Sequence, residues 1–197
     1  MNILKTAKNT FRKEMKQQLS LMSIEDKRIQ SEAVTKKLLA LPEYRNSKRI
    51  SVYLSMQDEI QTENILKHVF NTNKACFIPR YDSSSNFMDM VRLYSWSEFE
   101  SLPETRWKIK QPPLEDERET ALSSAGLDLI LIPGLAFTSS GKRMGRGRGY
   151  YDTYLAKCFK QQLQAPMTIA LAYKQQIVPD MPTEETDVLI NKVLIDD

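Results

Sequence analysis

Apolar residues at the start of the chain recur every three to four positions: Ile3, Leu4, Ala7, Phe11, Met15, Leu19 and Met22. That spacing lays one face of an α-helix against a core. On the opposite stripe stand Lys5, Lys8, Arg12 and Lys16, which as a bare pattern read as a solvated cationic face. Ser23-Ile-Glu-Asp26 is an N-cap with acidic residues in the first turn, so a second helix starts there and runs to Leu41, closed by Pro42. The period then changes. Residues 49–54, 75–78 (stopped by Pro79), 87–94, 127–132, 167–172 and 192–195 are short apolar runs of strand type. Thr62 caps a short helix bearing Ile65, Leu66, Val69 and Phe70, and 150–161 is helical, whereas 103–128 is irregular. Strands alternating with helices, with no internal repeat, predict one α/β domain over 1–197: three layers, a mainly parallel sheet with helices on both faces, Rossmann-like.

Composition narrows the function classes. With 197 residues, 41% of them hydrophobic, the chain can bury a sizeable core. The net charge of +3 is slight, so local clusters matter more than a global field, and no nucleic-acid partner is expected. His68 is the only histidine, which excludes a multi-histidine metal site and argues against a histidine-based triad. Cys76 and Cys158 sit in strand-like and helical runs and read as buried reduced thiols. No stretch reaches the ~20 apolar residues of a membrane span, so no membrane partner is expected. The basic amphipathic start leaves a mitochondrial presequence open, but Glu14 interrupts it and serines are few, and the cytoplasm is the expected location.

One segment concentrates the candidate chemistry. From Gly141 to Leu155 the chain holds four of its six glycines, and Lys142, Arg143, Arg146 and Arg148 fall within seven residues. Glycine lets backbone approach a ligand, arginine offers a fork matched to phosphate oxygens, and a helix starting near Tyr150 adds free N–H groups. The spacing is neither the P-loop nor the dinucleotide fingerprint. Strand 127–132 ends just upstream at Pro133-Gly134-Leu135, which puts this loop at a carboxyl edge, where open α/β sheets bind ligands. Asp152 is placed to hold a metal that bridges phosphates. Asp58, Glu59 and Glu63 follow strand 49–54 at the same edge and can accept paired N–H donors from a heterocycle or bind a metal; as a bare pattern they read as loop solvation, with Glu63 as acidity at a helix N-terminus. Trp107 is suited to stack on a flat ligand or to anchor its loop, and Asp187 is open between metal ligand and solvated surface.

Pro133-Gly-Leu-Ala-Phe137 followed by Gly145-Arg-Gly-Arg-Gly-Tyr-Tyr-Asp152 closely resembles the signature of 5-formyltetrahydrofolate cyclo-ligases, also called methenyltetrahydrofolate synthetases. Lys8-Asn-Thr-Phe-Arg12, Leu54-Ser-Met-Gln-Asp-Glu59, Phe77-Ile-Pro-Arg80 and Asn86-Phe-Met-Asp-Met-Val-Arg92 extend the likeness along the chain, with the animal form in particular. The resemblance implies a site residue by residue. Lys8, Arg12 and the run from Arg143 through Gly145, Arg146, Gly147, Arg148, Gly149 and Tyr150 to Tyr151 match ATP contacts. Leu54, Glu59 and, more loosely, Trp107 match folate contacts, and the inner loop residues, Arg146 to Tyr150, face the folate as well. Asp152 and Asp187 match magnesium positions, and Arg146, Arg148 and Tyr151 are the residues expected to take part in catalysis. Three departures stand out: Thr138 and Asn191 replace aspartates of the family, and Arg148 stands where relatives carry lysine or glycine.

The activity that follows by resemblance is ATP- and Mg²⁺-dependent conversion of 5-formyltetrahydrofolate, with or without a polyglutamate tail, to 5,10-methenyltetrahydrofolate, ADP and phosphate, by a monomer. An amide oxygen cannot leave as oxide, so phosphorylation of the formyl oxygen prepares it for displacement by N10. Such a site needs phosphate donors and orientation more than a nucleophile.

Overall fold

A computed structural model describes residues 3–85 and 87–196; Asn86, which heads one of the resembling segments, lies outside the described residues. The first helix is α1 (Ile3–Ser20), followed by α2 (Ile24–Ala40). Ser23 caps α2 with its hydroxyl on the Asp26 N–H. Pro42 ends α2 as expected and also opens a short helix, α3 (Pro42–Asn46), at a position where its missing N–H costs nothing. There follow β1 (Arg49–Ser51), α4 (Glu63–Asn71), β2 (Ala75–Tyr81), β3 (Met88–Leu93), α5 (Trp96–Ser101) and β4 (Leu129–Ile132). A two-stranded hairpin, β5 (Ala136–Phe137) with β6 (Arg143–Met144), leads into α6 (Tyr150–Gln161), then β7 (Met167–Leu171) and β8 (Lys192–Leu194).

The main sheet has the order β3-β2-β1-β4-β7-β8, parallel throughout except for the edge strand β3. β4 shows why the run is wholly apolar: Leu129 and Leu131 point into the core under α1, α2 and α4, while Ile130 and Ile132 point into the core under α6. All four are buried, and with both faces covered no polar alternation is possible. Truncating Leu131 to alanine would cost about 2–5 kcal/mol, the usual range for a core cavity. The three-layer, mainly parallel architecture is therefore the one expected from the alternation of strands and helices.

Several local readings are corrected. The apolar stripe of α1 buries Met15 and Leu19 only; Ile3 and Ala7 are exposed, and the buried residue of its first half is Lys8. β1 stops at Ser51, three residues early, because the chain turns there into the loop that carries Leu54 to Glu59. β2 continues through Pro79: its missing N–H would face the β1 side, where pairing has already ended opposite Phe77. Thr62 stands at the head of α4 but does not cap it with its hydroxyl, which donates instead to the Tyr53 carbonyl at 2.7 Å. Helix α5 and the β5–β6 hairpin were not expected.

Candidate active site

Parallel pairing puts the carboxyl ends of β1, β2, β4 and β7 along one edge. The chain leaves β1 toward β2 and β3, then returns to lay β4 on the other side of β1. This switch of direction leaves a crevice beyond β1 and β4, the place where such sheets bind ligands. A cavity of about 1130 Å³ occupies it. One wall is the loop after β1, with Leu54 and Glu59; the floor is Pro133 and Gly134 after β4; the glycine loop and the start of α6 form the other side; and α1 closes the top.

The basic stripe of α1 faces this cavity, with Lys8 buried and Arg12 half-buried while Lys5 and Lys16 stay exposed. Lys5, Lys8, Arg12 and Lys16 all line it. Lys8 is 6% exposed, with its ammonium 2.7 Å from Asp187 and 3.5 Å from Glu184. Arg12 donates to the Gly145 carbonyl at 2.9 Å and so ties α1 to the glycine loop. Arg143 rises from β6, donates to Asp152 at 2.8 Å and lies over the Tyr151 ring at 5.6 Å. Arg146 reaches across the cavity to the loop after β1, donating through Nε to Glu59 at 3.1 Å and through Nη2 to Asp58. Lys8, Arg12, Arg143 and Arg146 thus each meet a carboxylate or carbonyl contributed by another part of the chain.

Glu59 is 5% exposed. One carboxylate oxygen accepts the Met56 N–H at 3.0 Å, and the residue's own carbonyl accepts the Tyr173 hydroxyl at 2.7 Å. Burial raises its carboxyl above the ordinary carboxylate range, and the Arg146 guanidinium works against that rise. The result is a rigidly held acceptor with one edge toward the cavity. Asp152 and Asp187 both line the cavity, and the Val188 N–H donates to Asp152 at 3.3 Å. Among the described residues no three histidine, cysteine or acidic side chains gather as a metal site.

The glycines serve the backbone. Gly147 has φ +105° and Gly149 φ +69°, conformations that side chains rarely adopt, and Gly149 starts α6 with no side chain covering its first turn. A flat wall faces them: Tyr150 stacks on Tyr81 with ring centroids 5.5 Å apart, and Tyr81 meets Trp107 at 5.3 Å. Tyr151 lines the cavity and packs against both apolar cores; its phenol, raised far above its usual range by burial, stays protonated at neutral pH.

The structure therefore brings Lys8, Arg12, Leu54, Glu59, Trp107, Arg143 to Asp152 and Asp187 into one cavity. Arg148 is the outlier among the cations: it is exposed and reaches only the Ser83 carbonyl, at 3.4 Å, on the rim. Tyr81 was not singled out from sequence, although an aromatic at the carboxyl end of a strand carries that signal. The two replaced aspartates keep an acceptor in place. Thr138 receives the Lys142 N–H on its hydroxyl at 3.1 Å, and Asn191 receives the Thr168 N–H on its amide oxygen at 2.8 Å.

Comparison with known proteins follows the same lines. The model of the 5-formyltetrahydrofolate cyclo-ligase family matches residues 4–196. The 5-formyltetrahydrofolate cyclo-ligase of Mus musculus is 52% identical over 192 residues, covering 98% of this chain and 95% of the mouse protein. The solved 5,10-methenyltetrahydrofolate synthetase of Aquifex aeolicus superposes with a TM-score of 0.73 at 26% identity, covering 95% of this chain and 88% of that one. The Mycoplasma pneumoniae synthetase superposes with a TM-score of 0.71 over 96% and 99% of the two chains, a likeness of fold at 22% identity.

Proposed function

The chain belongs to the 5-formyltetrahydrofolate cyclo-ligase family, and we propose that the cleft beyond β1 and β4 holds ATP along its cationic side and the folate against Glu59. The enzyme converts 5-formyltetrahydrofolate and ATP to 5,10-methenyltetrahydrofolate, ADP and phosphate. The formyl oxygen attacks the γ-phosphorus as ADP departs, giving an N5 iminium phosphate. N10 then closes the five-membered ring on the formyl carbon. The C–O bond breaks, phosphate leaves with that oxygen, and the N10 proton goes to phosphate or solvent. Ring closure is intramolecular, so the protein's task is orientation and charge stabilisation in phosphoryl transfer.

Each part of the cavity suits one piece of that work. Lys8, Arg12, Arg143 and Arg146, with the backbone from Gly145 to Gly149, present donors to a triphosphate. Glu59 offers its cavity edge to the paired N–H groups of the pterin, with Leu54 beside it and the Tyr81, Tyr150 and Trp107 rings as a flat wall. Arg148 on the rim is the least committed of the cations, consistent with its charge being variable. Asp152 and Asp187 fit Mg²⁺: they are hard oxygen donors beside the phosphate side of the cleft, and two carboxylates suit an ion that completes its shell with phosphates and water. Such an ion would neutralise phosphate charge. Both halves of the cleft come from one chain, which fits a monomer, and the buried free thiols fit a reducing cytoplasm.

The observation that carries this reading is the convergence of α1, the loop after β1 and the glycine loop around a buried glutamate. Its test is Glu59→Gln, which exchanges an acceptor for a donor at the pterin edge. The folate KM should rise, or kcat/KM fall, by ~10–100-fold, with the ATP KM little changed. An unaltered folate dependence with weakened ATP use would reverse the assignment.

A further inference from the structure

A pterin seated on Glu59 competes with Arg146 for the cavity edge of that carboxylate. A carboxylate that receives two parallel N–H donors presents both oxygens to them. One oxygen of Glu59 already accepts the Met56 N–H, and the other accepts Arg146 Nε at 3.1 Å. Glu59 is held in place: it is buried, its carboxylate accepts the Met56 N–H, and Tyr173 and Gln61 fix its backbone by donating to its carbonyl, at 2.7 and 2.8 Å. Arg146 can. It sits between Gly145 and Gly147 on an outer loop, and Gly147 holds a left-handed φ. The second carboxylate on the same guanidinium belongs to Asp58, which is half-buried and has no role in the proposed function.

We infer that Asp58 is a positioning residue which, together with Glu59, keeps Arg146 from the phosphates until folate displaces it from Glu59, so that folate binding tightens ATP binding. This rests on the assignment of Glu59 to the folate. Without folate, the guanidinium has its charge matched by two carboxylates and its Nε and Nη2 donors occupied. Bound folate removes one of those anchors. Asp58 alone no longer holds the guanidinium, which leaves both carboxylates and turns its donors to the triphosphate. By linkage, ATP tightens folate to the same degree. The device also holds the phosphoryl-transfer group back when no formyl oxygen is present to receive it.

The test is calorimetric titration of the intact protein with Mg²⁺ and the β,γ-imido analogue of ATP, with and without saturating 5-formyltetrahydrofolate. In the unaltered protein, folate should tighten the analogue by about 5-fold or more, the lower end of ordinary allosteric coupling. Asp58→Asn keeps the shape and removes the charge. It should tighten the folate-free Kd by about 3- to 5-fold, what one half-exposed ion pair is worth, and leave the folate-bound Kd unchanged, so the coupling falls toward one. Arg146→Lys, whose shorter side chain ends in one nitrogen and cannot reproduce the separate Nε and Nη2 contacts, should also lose the coupling, and it serves if the loop does not tolerate asparagine. An equal shift of both Kd values in Asp58→Asn would mark a general field effect and overturn the inference, as would no shift or no coupling in the unaltered protein. Titration with folate alone separates the two ideas. If Glu59→Gln binds folate as well as the unaltered protein, the folate assignment itself falls; if it binds folate poorly while ATP binding ignores folate, only the role of Asp58 falls.

Discussion

Lys8 is both a buried structural cation and a proposed phosphate contact, and a double variant separates the two. Its ammonium is 2.7 Å from Asp187, with side-chain exposures of 7% and 22% for the pair. Breaking a fully buried pair costs 3–5 kcal/mol and an exposed one 0–1 kcal/mol, so Lys8→Met should lose about 1–3 kcal/mol of stability. Much of that is the cost of leaving Asp187 without its cation. Adding Asp187→Asn should therefore recover half or more of the loss, since the remaining amide still accepts the Glu184 N–H now held at 2.7 Å. ATP use should behave differently. One charge-assisted bond to phosphate is worth about 1.5–3 kcal/mol, a ~10–100-fold rise in ATP KM, and the second substitution should not restore it. Urea melts and steady-state rates on the two singles and the double read both quantities. If Lys8→Met keeps its ATP KM within about twofold, or if the double variant regains normal ATP use, Lys8 acts only through Asp187 and its assignment to the phosphates is wrong.

Arg146→Ala should lose about 100-fold or more in kcat/KM, and its stability should depend on pH. Burial already raises the Glu59 carboxyl, and without Arg146 it rises further. A folded-state pKa above the unfolded one gives stability that is present below the unfolded pKa and lost as pH rises through the folded one. The gap to the unaltered protein in urea melts should thus widen as pH rises above the ordinary carboxylate range; a constant gap would contradict the burial of that charge. Asp152→Asn and Asp187→Asn should each need more Mg²⁺ for half-maximal rate, and the double variant should cost less than the two singles together; unchanged Mg²⁺ dependence in both would remove the ion from this pair. Burial pushes the Cys76 thiol up to about 12 and the Cys158 thiol up to about 11. Neither should react with an aromatic disulfide reagent at pH 8 until the protein is unfolded, and rapid labelling of the native protein would show that one of the cores is open.

Much of the architecture was legible because β4 and α6 carry clean periods. The run of 127–132 can only be a strand covered on both faces, and Gly149 before Tyr150 marks a helix start that the structure keeps to the residue. What failed was the burial of charge. Periodicity assigns lysines to solvent, so the basic stripe of α1 read as an outer face, which holds for the exposed Lys5 and Lys16, and only the motif resemblance turned Lys8 and Arg12 inward. The reason is tertiary: Asp187 and the Gly145 carbonyl, distant in sequence, supply the partners that let Lys8 and Arg12 face the cleft. The same blindness hid the bonds of Arg146. From sequence it read as a contact to ATP and folate, whereas Asp58 and Glu59 hold it in place. The β5–β6 hairpin was missed because its two-residue strands are too short to show any period.

The central claim, that this cleft brings the γ-phosphate of ATP onto the formyl oxygen, is tested most directly with 5-formyltetrahydrofolate carrying ¹⁸O in the formyl group. Phosphorylation at that oxygen followed by N10 closure must deliver the label to inorganic phosphate, one atom for each methenyl product formed, and Arg146→Ala and Glu59→Gln should slow label transfer and product together. Release of ¹⁸O to water, or methenyl product formed without labelled phosphate, would contradict it.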